Sequence, residues 1–171
     1  MSALHLVRRF IGTAWPAGPR GVDDRWAYGQ LLDGERKLWA RMSRPDRRHA
    51  VAVARRVERA LRDRAARPVI AAALLHDVGK VDARLGAYGR VVATVSGMVA
   101  GRETAEAWSE TRGFTRRVGL YLRHADLGGD MLAMAGSDPL TVAWAREHHR
   151  PEQEWTIDRH VGRELKAADG G

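Results

Sequence analysis

The chain has 171 residues, a formal net charge of +8 and no cysteine. This length is enough for one domain with a sizeable core, and the missing cysteines exclude disulfides, thiolate metal sites and cysteine nucleophiles. The positive charge, carried mostly by arginine, points to phosphate-rich ligands if it is more than a solvated surface.

No segment approaches the roughly 18 apolar residues needed to span a bilayer. The longest candidate, Val91 to Ala100, is interrupted by Thr94, Ser96 and Gly97. The stretch Leu4 to Ile11 carries Arg8 and Arg9, unlike a signal peptide, and reads as a small helix packed on the domain. A cytoplasmic protein is expected. The division expected is an N-terminal helical extension over 1–42 and a main domain over 43–171.

Trp15 to Gly21, with two prolines and two glycines, reads as a loop. From Asp23 or Asp24 to Met42 the apolar residues predict a helix, broken near Gly34. Ser43-Arg44-Pro45-Asp46 is a start signal: a capping serine, a proline in the first turn and an acid three residues on. The helix that follows places Ala50, Val53, Ala54, Val57, Ala60 and Leu61 on one face, with His49 in its first turn. Pro68 opens the next helix, which is apolar nearly all round and therefore the expected central one. It should reach Asp77 and stop at Gly79.

Asp82 to Gly89 reads as a connector. Arg90 to about Ala100 and Glu103 to Glu110 can be helical. After Gly113, a helix is predicted from Phe114 to His124 with Val118, Tyr121 and Leu122 inward, then another from Leu127 to Ala135. Ser137-Asp138-Pro139 should start a helix from Leu140 to His149 that ends before Pro151. A last helix, from Thr156 or Ile157 to Ala168, aligns Ile157, Val161, Leu165 and Ala168. Hairpin signals are absent, so the predicted fold class is all-α, a compact multi-helix bundle with its site in a cleft between helix ends.

The chemistry concentrates in His76-Asp77-Val78-Gly79-Lys80. Imidazole and carboxylate are standard ligands for Mn, Fe, Co, Ni or Zn, and helix ends can converge on one cleft. Besides His76, four histidines fall near predicted helix ends: His49, His124, His148 and His149. A glycine after the His-Asp pair ends the helix where both side chains can face one ion. His5 and His160 have no expected role, and Asp126 and Asp130 read as solvated positions.

This pattern resembles the HD-domain metal-dependent phosphohydrolase superfamily, in which a histidine, a His-Asp doublet and a distant aspartate lie on an α-helical domain. His49, His76-Asp77 and Asp169 match those positions. The segment from His124 to Leu132, followed by His148-His149, is similar to two-metal members: the HD-GYP cyclic-dinucleotide phosphodiesterases and the HD-type hydrolases of dinucleoside polyphosphates. Lys80 matches the lysine of the HDxGK form. The Gly-Tyr-Pro segment is absent; the chain reads Arg150-Pro151-Glu152-Gln153-Glu154-Trp155 there.

The resemblance implies one or two divalent transition metal ions. His49, His76, Asp77 and Asp169 would hold the first; His124 and His148 or His149 would hold the second, with Asp77 bridging. It implies hydrolysis of a phosphoester or phosphoanhydride, a nucleotide being the expected substrate, through metal-bound hydroxide. Asp77 and Lys80 would be catalytic, and Lys80 and Arg150 would bind the substrate phosphate. Two other classes compete. One is an inactive HD domain that binds nucleotide or metal as a sensor or partner module. The other is a nucleic-acid binder with a structural metal site, which is not favoured.

Overall fold

The computed structural model describes Pro19 and residues 21–86, 89–90, 92–94, 96 and 101–170. The expected helix from Leu4 to Ile11 and nearly all of the loop from Trp15 to Gly21 lie outside the described residues. The protein is all-α, and among the described residues there is no strand. None of the helices is long and apolar enough to cross a membrane, again among the described residues.

The chain begins with α1 (Gly21–Gly29) and α2 (Asp33–Arg41). The break between them falls at 30–32, just before Gly34. Glu35 decides this: its carboxylate accepts the Leu32 amide at 2.8 Å, which starts a new helix by satisfying an otherwise open N–H. Glu35 is fully buried and also takes Arg67 at 3.3 Å, tying α2 to the start of α4.

Next comes α3 (Arg44–Leu61), capped by Ser43, whose hydroxyl accepts the Asp46 amide at 3.3 Å. Its inward stripe is Ala50, Val53, Ala54, Val57 and Leu61. Ala60, expected on that face, is exposed. His49 is the sixth residue of α3 and so lies in the second turn, not the first. The next helix, α4 (Arg67–Leu75), has Val69 through Leu75 all buried. It packs against α3 on one side and α9 (Pro139–Glu147) on another. Each buried leucine contributes about 1.5–3 kcal/mol of burial free energy, so this stretch holds the core together.

The helix does not reach Asp77. Residues 76–79 continue as hydrogen-bonded turns into the short α5 (Lys80–Ala83). Gly79 has φ −62°, an ordinary right-handed value, so it does not act as a left-handed helix stop. Its role is close approach. A Cβ at 79 would overlap the carbonyl oxygen of His124 and the amide nitrogen of Gly128. The missing side chain is what lets α8 (His124–Met134) lie against the His-Asp turn.

Between them, α6 (Arg102–Ser109) packs on α7 (Gly113–Leu122), and α7 packs on α5. Helix α8 begins at His124, earlier than the sequence predicts, and its Gly128 lies at the Gly79 contact. Helix α9 ends at Glu147, and His148-His149 form the turn beyond it. Asp138 precedes α9 but makes no side-chain cap bond; its carboxylate pairs with Arg67 instead. The last helix, α10 (Arg159–Asp169), is capped by Asp158, whose carboxylate accepts the Val161 amide at 3.0 Å. It lies on α3. Gly170, at φ 95°, closes it in the left-handed conformation that glycine adopts without strain.

The apolar residues of α1, α2 and the turn between them (Ala27, Leu38 and Trp39, with Leu31 in the turn) belong to the same core cluster as those of α3, α4, α9 and α10. A smaller cluster of Ala83, Leu85, Ala93, Val118 and Leu120 joins the end of α5 to α7.

Candidate metal centre

The turn after α4 delivers His76 and Asp77 to the meeting point of five elements. His49 comes from α3, Asp169 from the last turn of α10, His124 from the first residue of α8, and His148-His149 from the turn after α9. His49 Nε2 lies 2.8 Å from Asp169 Oδ1. His76 Nε2 lies 3.4 Å from the same oxygen and 3.5 Å from Asp77 Oδ2. On the other side of the Asp77 carboxylate, Oδ1 lies 3.3 Å from His124 Nε2 and 3.8 Å from His148 Nε2. His149 Nε2 reaches His124 Nε2 at 3.1 Å.

Two ligand groups result. His49, His76 and Asp77 form one; Asp77, His124, His148 and His149 form the other. Within each, one potential ligand atom per residue lies within 4.8 Å of all the others. Asp77 belongs to both. These groups could hold a metal ion.

The histidine tautomers are set by backbone. His76 Nδ1 bonds the Ala73 carbonyl at 3.0 Å, His124 Nδ1 bonds Tyr121 at 2.6 Å and His148 Nδ1 bonds Ala145 at 2.9 Å. A carbonyl only accepts, so each Nδ1 carries the proton, and each neutral ring presents an Nε2 lone pair. This is the second-sphere arrangement that orients metal-ligating histidines. The His76 and His148 lone pairs face carboxylate oxygens, an arrangement that repels unless a cation lies between them.

Burial sharpens the point. His76 and His148 are each 2% exposed, and their Nε2 atoms are buried without a hydrogen-bond partner. A buried polar atom left unsatisfied costs about 1–3 kcal/mol. Two such atoms, both aimed at carboxylates, fit a divalent ion taking nitrogen and oxygen ligands.

The electrostatics keep Asp77, Asp169 and His148 in ligating form. Burial alone would raise the Asp77 pKa. Lys80, at 2.5 Å from Oδ2, overrides it together with His76 and His124, and the carboxyl is held well below its usual range. Asp169 is likewise lowered, its burial outweighed by the His49 hydrogen bond and by the neighbouring His76. Burial pushes the His148 imidazole far down, and the neighbouring His149 adds to that, so it stays neutral. Burial also works against charge on His76, but Asp77 and Asp169 raise it on balance.

All seven residues predicted to bind metal are therefore in this cluster. Asp169, two residues from the chain's end, is not frayed; its side chain is 9% exposed. Lys80 adjoins the cluster through Asp77. Arg150 lies just outside, its guanidinium 3.9 Å from Asp126 and its carbonyl accepting the Trp155 indole N–H at 3.1 Å. Trp155 packs edge-on against Trp144, which in turn faces His148, so the loop after α9 braces that histidine. Exposed His160 stands apart, as the sequence implies. The residues sequence reasoning missed are Ala73, Tyr121 and Ala145, whose carbonyls accept the Nδ1–H groups and orient the rings. Their signal was present: each lies three positions before its histidine.

Comparison of the chain with protein-family models, with curated proteins and with solved structures finds no match.

Proposed function

We propose that the protein is a metal-dependent phosphohydrolase of the HD-domain type, acting on a phosphoester or phosphoanhydride such as a nucleotide. The observation that carries this reading is the Asp77 carboxylate: it is common to both ligand groups and has a lysine ammonium at 2.5 Å. A purely structural site needs one closed set of ligands. A shared carboxylate between two sets instead suits a two-ion centre for phosphoryl chemistry.

His49, His76, Asp77 and Asp169 would hold one divalent ion, from Mn, Fe, Co, Ni or Zn, and His124, His148 and His149 would hold a second with Asp77 between them. Ions bound there supply a water of lowered pKa and neutralise charge on phosphoryl oxygens. The protein's own contribution is orientation and charge. The carbonyls of Ala73, Tyr121 and Ala145 fix three rings. Lys80 remains cationic: burial opposes its charge, but Asp77 and then Tyr121 raise its pKa. Its ammonium would meet an anionic substrate oxygen. Arg150 offers a second cation beside the His148-His149 turn.

The test is reconstitution with each of the five metals in turn, followed by a hydrolysis panel of nucleotides and phosphoesters. Metal-dependent release of phosphate or nucleotide, lost in Asp77→Ala, is the expected result. Absence of bound metal after reconstitution together with absence of turnover would overturn the reading. Metal and nucleotide binding without turnover would point to the sensor class.

A further inference from the structure

Lys80 has a second face. It lines a cleft of about 430 Å³ together with Arg41, Ser43, Asp46, Asp82, Arg84 and Arg90. That volume lies within the range of small-molecule sites. The lining is dominated by four cations, and their pairing is uneven. Arg90 is fixed by Asp46 through contacts of 2.5 and 2.7 Å, and Asp46 is itself held by the Ser43 hydroxyl at 2.6 Å. Arg41 pairs with Asp82 at 2.8 Å, and Lys80 with Asp77.

Arg84 is different. It is exposed and makes no ion pair among the described residues, so it leaves one positive charge uncompensated in the cleft. Its backbone is left-handed, φ 47° and ψ 34°, where it closes α5. A non-glycine residue there carries a conformational cost. The rigid Arg90 wall, the paired Arg41 and the free Arg84 guanidinium surround one space, and Lys80 connects that space to Asp77. Planar guanidinium groups bind phosphate through paired N–H donors.

We propose that the cleft lined by Arg41, Lys80, Arg84 and Arg90 binds a second phosphate group of the substrate, which places the substrate among molecules bearing at least two phosphates. This rests on the phosphohydrolase reading: the reacting phosphoryl group would sit at the Asp77 cluster, with Lys80 between the two anionic groups. A simple phosphate monoester fills only the first position.

Calorimetric titration of inorganic pyrophosphate and inorganic phosphate into metal-free protein tests the cleft without relying on catalysis. Wild-type protein should bind pyrophosphate more tightly than phosphate. Arg84→Ala should weaken pyrophosphate binding about tenfold, as expected for loss of a charged hydrogen-bonding partner. Arg84→Lys should retain part of the affinity, and Arg41→Ala combined with Arg84→Ala should lose more than either alone. Manganese affinity should be the same in wild type and Arg84→Ala. Equal pyrophosphate affinity in wild type and all three variants would overturn the proposal. The two readings fail separately. Manganese binding with no turnover sinks the hydrolase reading, while Arg84-dependent pyrophosphate binding would keep the cleft as a phosphate site. Turnover with Arg84-independent pyrophosphate binding overturns the cleft alone.

Discussion

Gly79 lies so close to the carbonyl of His124 that no side chain fits between them. This one contact joins the turn carrying His76-Asp77 to the helix that starts at His124, and so brings the two ligand groups to one carboxylate. The obstructing atoms are backbone, which cannot step aside as a flexible side chain would.

Gly79→Ala should therefore displace α8 from the His-Asp turn. The expected cost is about 1–3 kcal/mol of stability, with manganese affinity reduced roughly 10–100-fold as the His124 side loses register. Thermal unfolding and a manganese titration of the same variant check this. Unchanged affinity would show that the contact does not position the site.

His148→Leu separates a ligand from a core residue. The buried Nε2 is unsatisfied, so replacing the ring with an apolar side chain should leave metal-free protein equally stable or more stable by about 1 kcal/mol. The same variant should lose the stabilisation that manganese gives wild type, since ligands that bind only the folded state stabilise it. Melting curves with chelator and with manganese read both effects. A structural histidine would behave the opposite way: destabilised in chelator, with manganese stabilisation intact.

Much of the site was legible because metal ligation restricts residue type. His49, His76, Asp77, His124, His148 and His149 stand out by chemistry and position, Asp169 only through the resemblance, and local signals such as Ser43-Pro45-Asp46 and Pro68 mark the helices that carry them. What stayed hidden depends on contacts between distant segments. Gly79 reads as a helix stop, yet its partner lies in α8. Asp46 reads as a first-turn acid, while its main partner, Arg90, is 44 residues away. The break before α2 is decided by a buried Glu35 that also needs Arg67. Periodicity carries no information about such pairs.

The Asp46–Arg90 pair makes a pH-dependent prediction. Burial would raise the Asp46 pKa, but the hydrogen bond and charge of Arg90, with Ser43, lower it below the ordinary 3.8. A carboxyl depressed in the folded state contributes stability above its unfolded pKa, and that stability is lost as pH falls through the folded value. Asp46→Asn should thus cost about 3 kcal/mol at neutral pH, because it leaves Arg90 without its charge partner. The difference from wild type should shrink below about pH 4. Urea unfolding at pH 7 and at pH 3 measures the two ends. A difference independent of pH would mean that the carboxylate charge contributes nothing.

The most direct test of the shared carboxylate is a manganese titration of wild type against Asp77→Asn, followed by calorimetry and electron paramagnetic resonance. Two ligand groups sharing Asp77 predict two bound ions in wild type, magnetically coupled, and at least 100-fold weaker binding of both in the variant. Tight manganese binding that survives Asp77→Asn, or none in wild type, would contradict it.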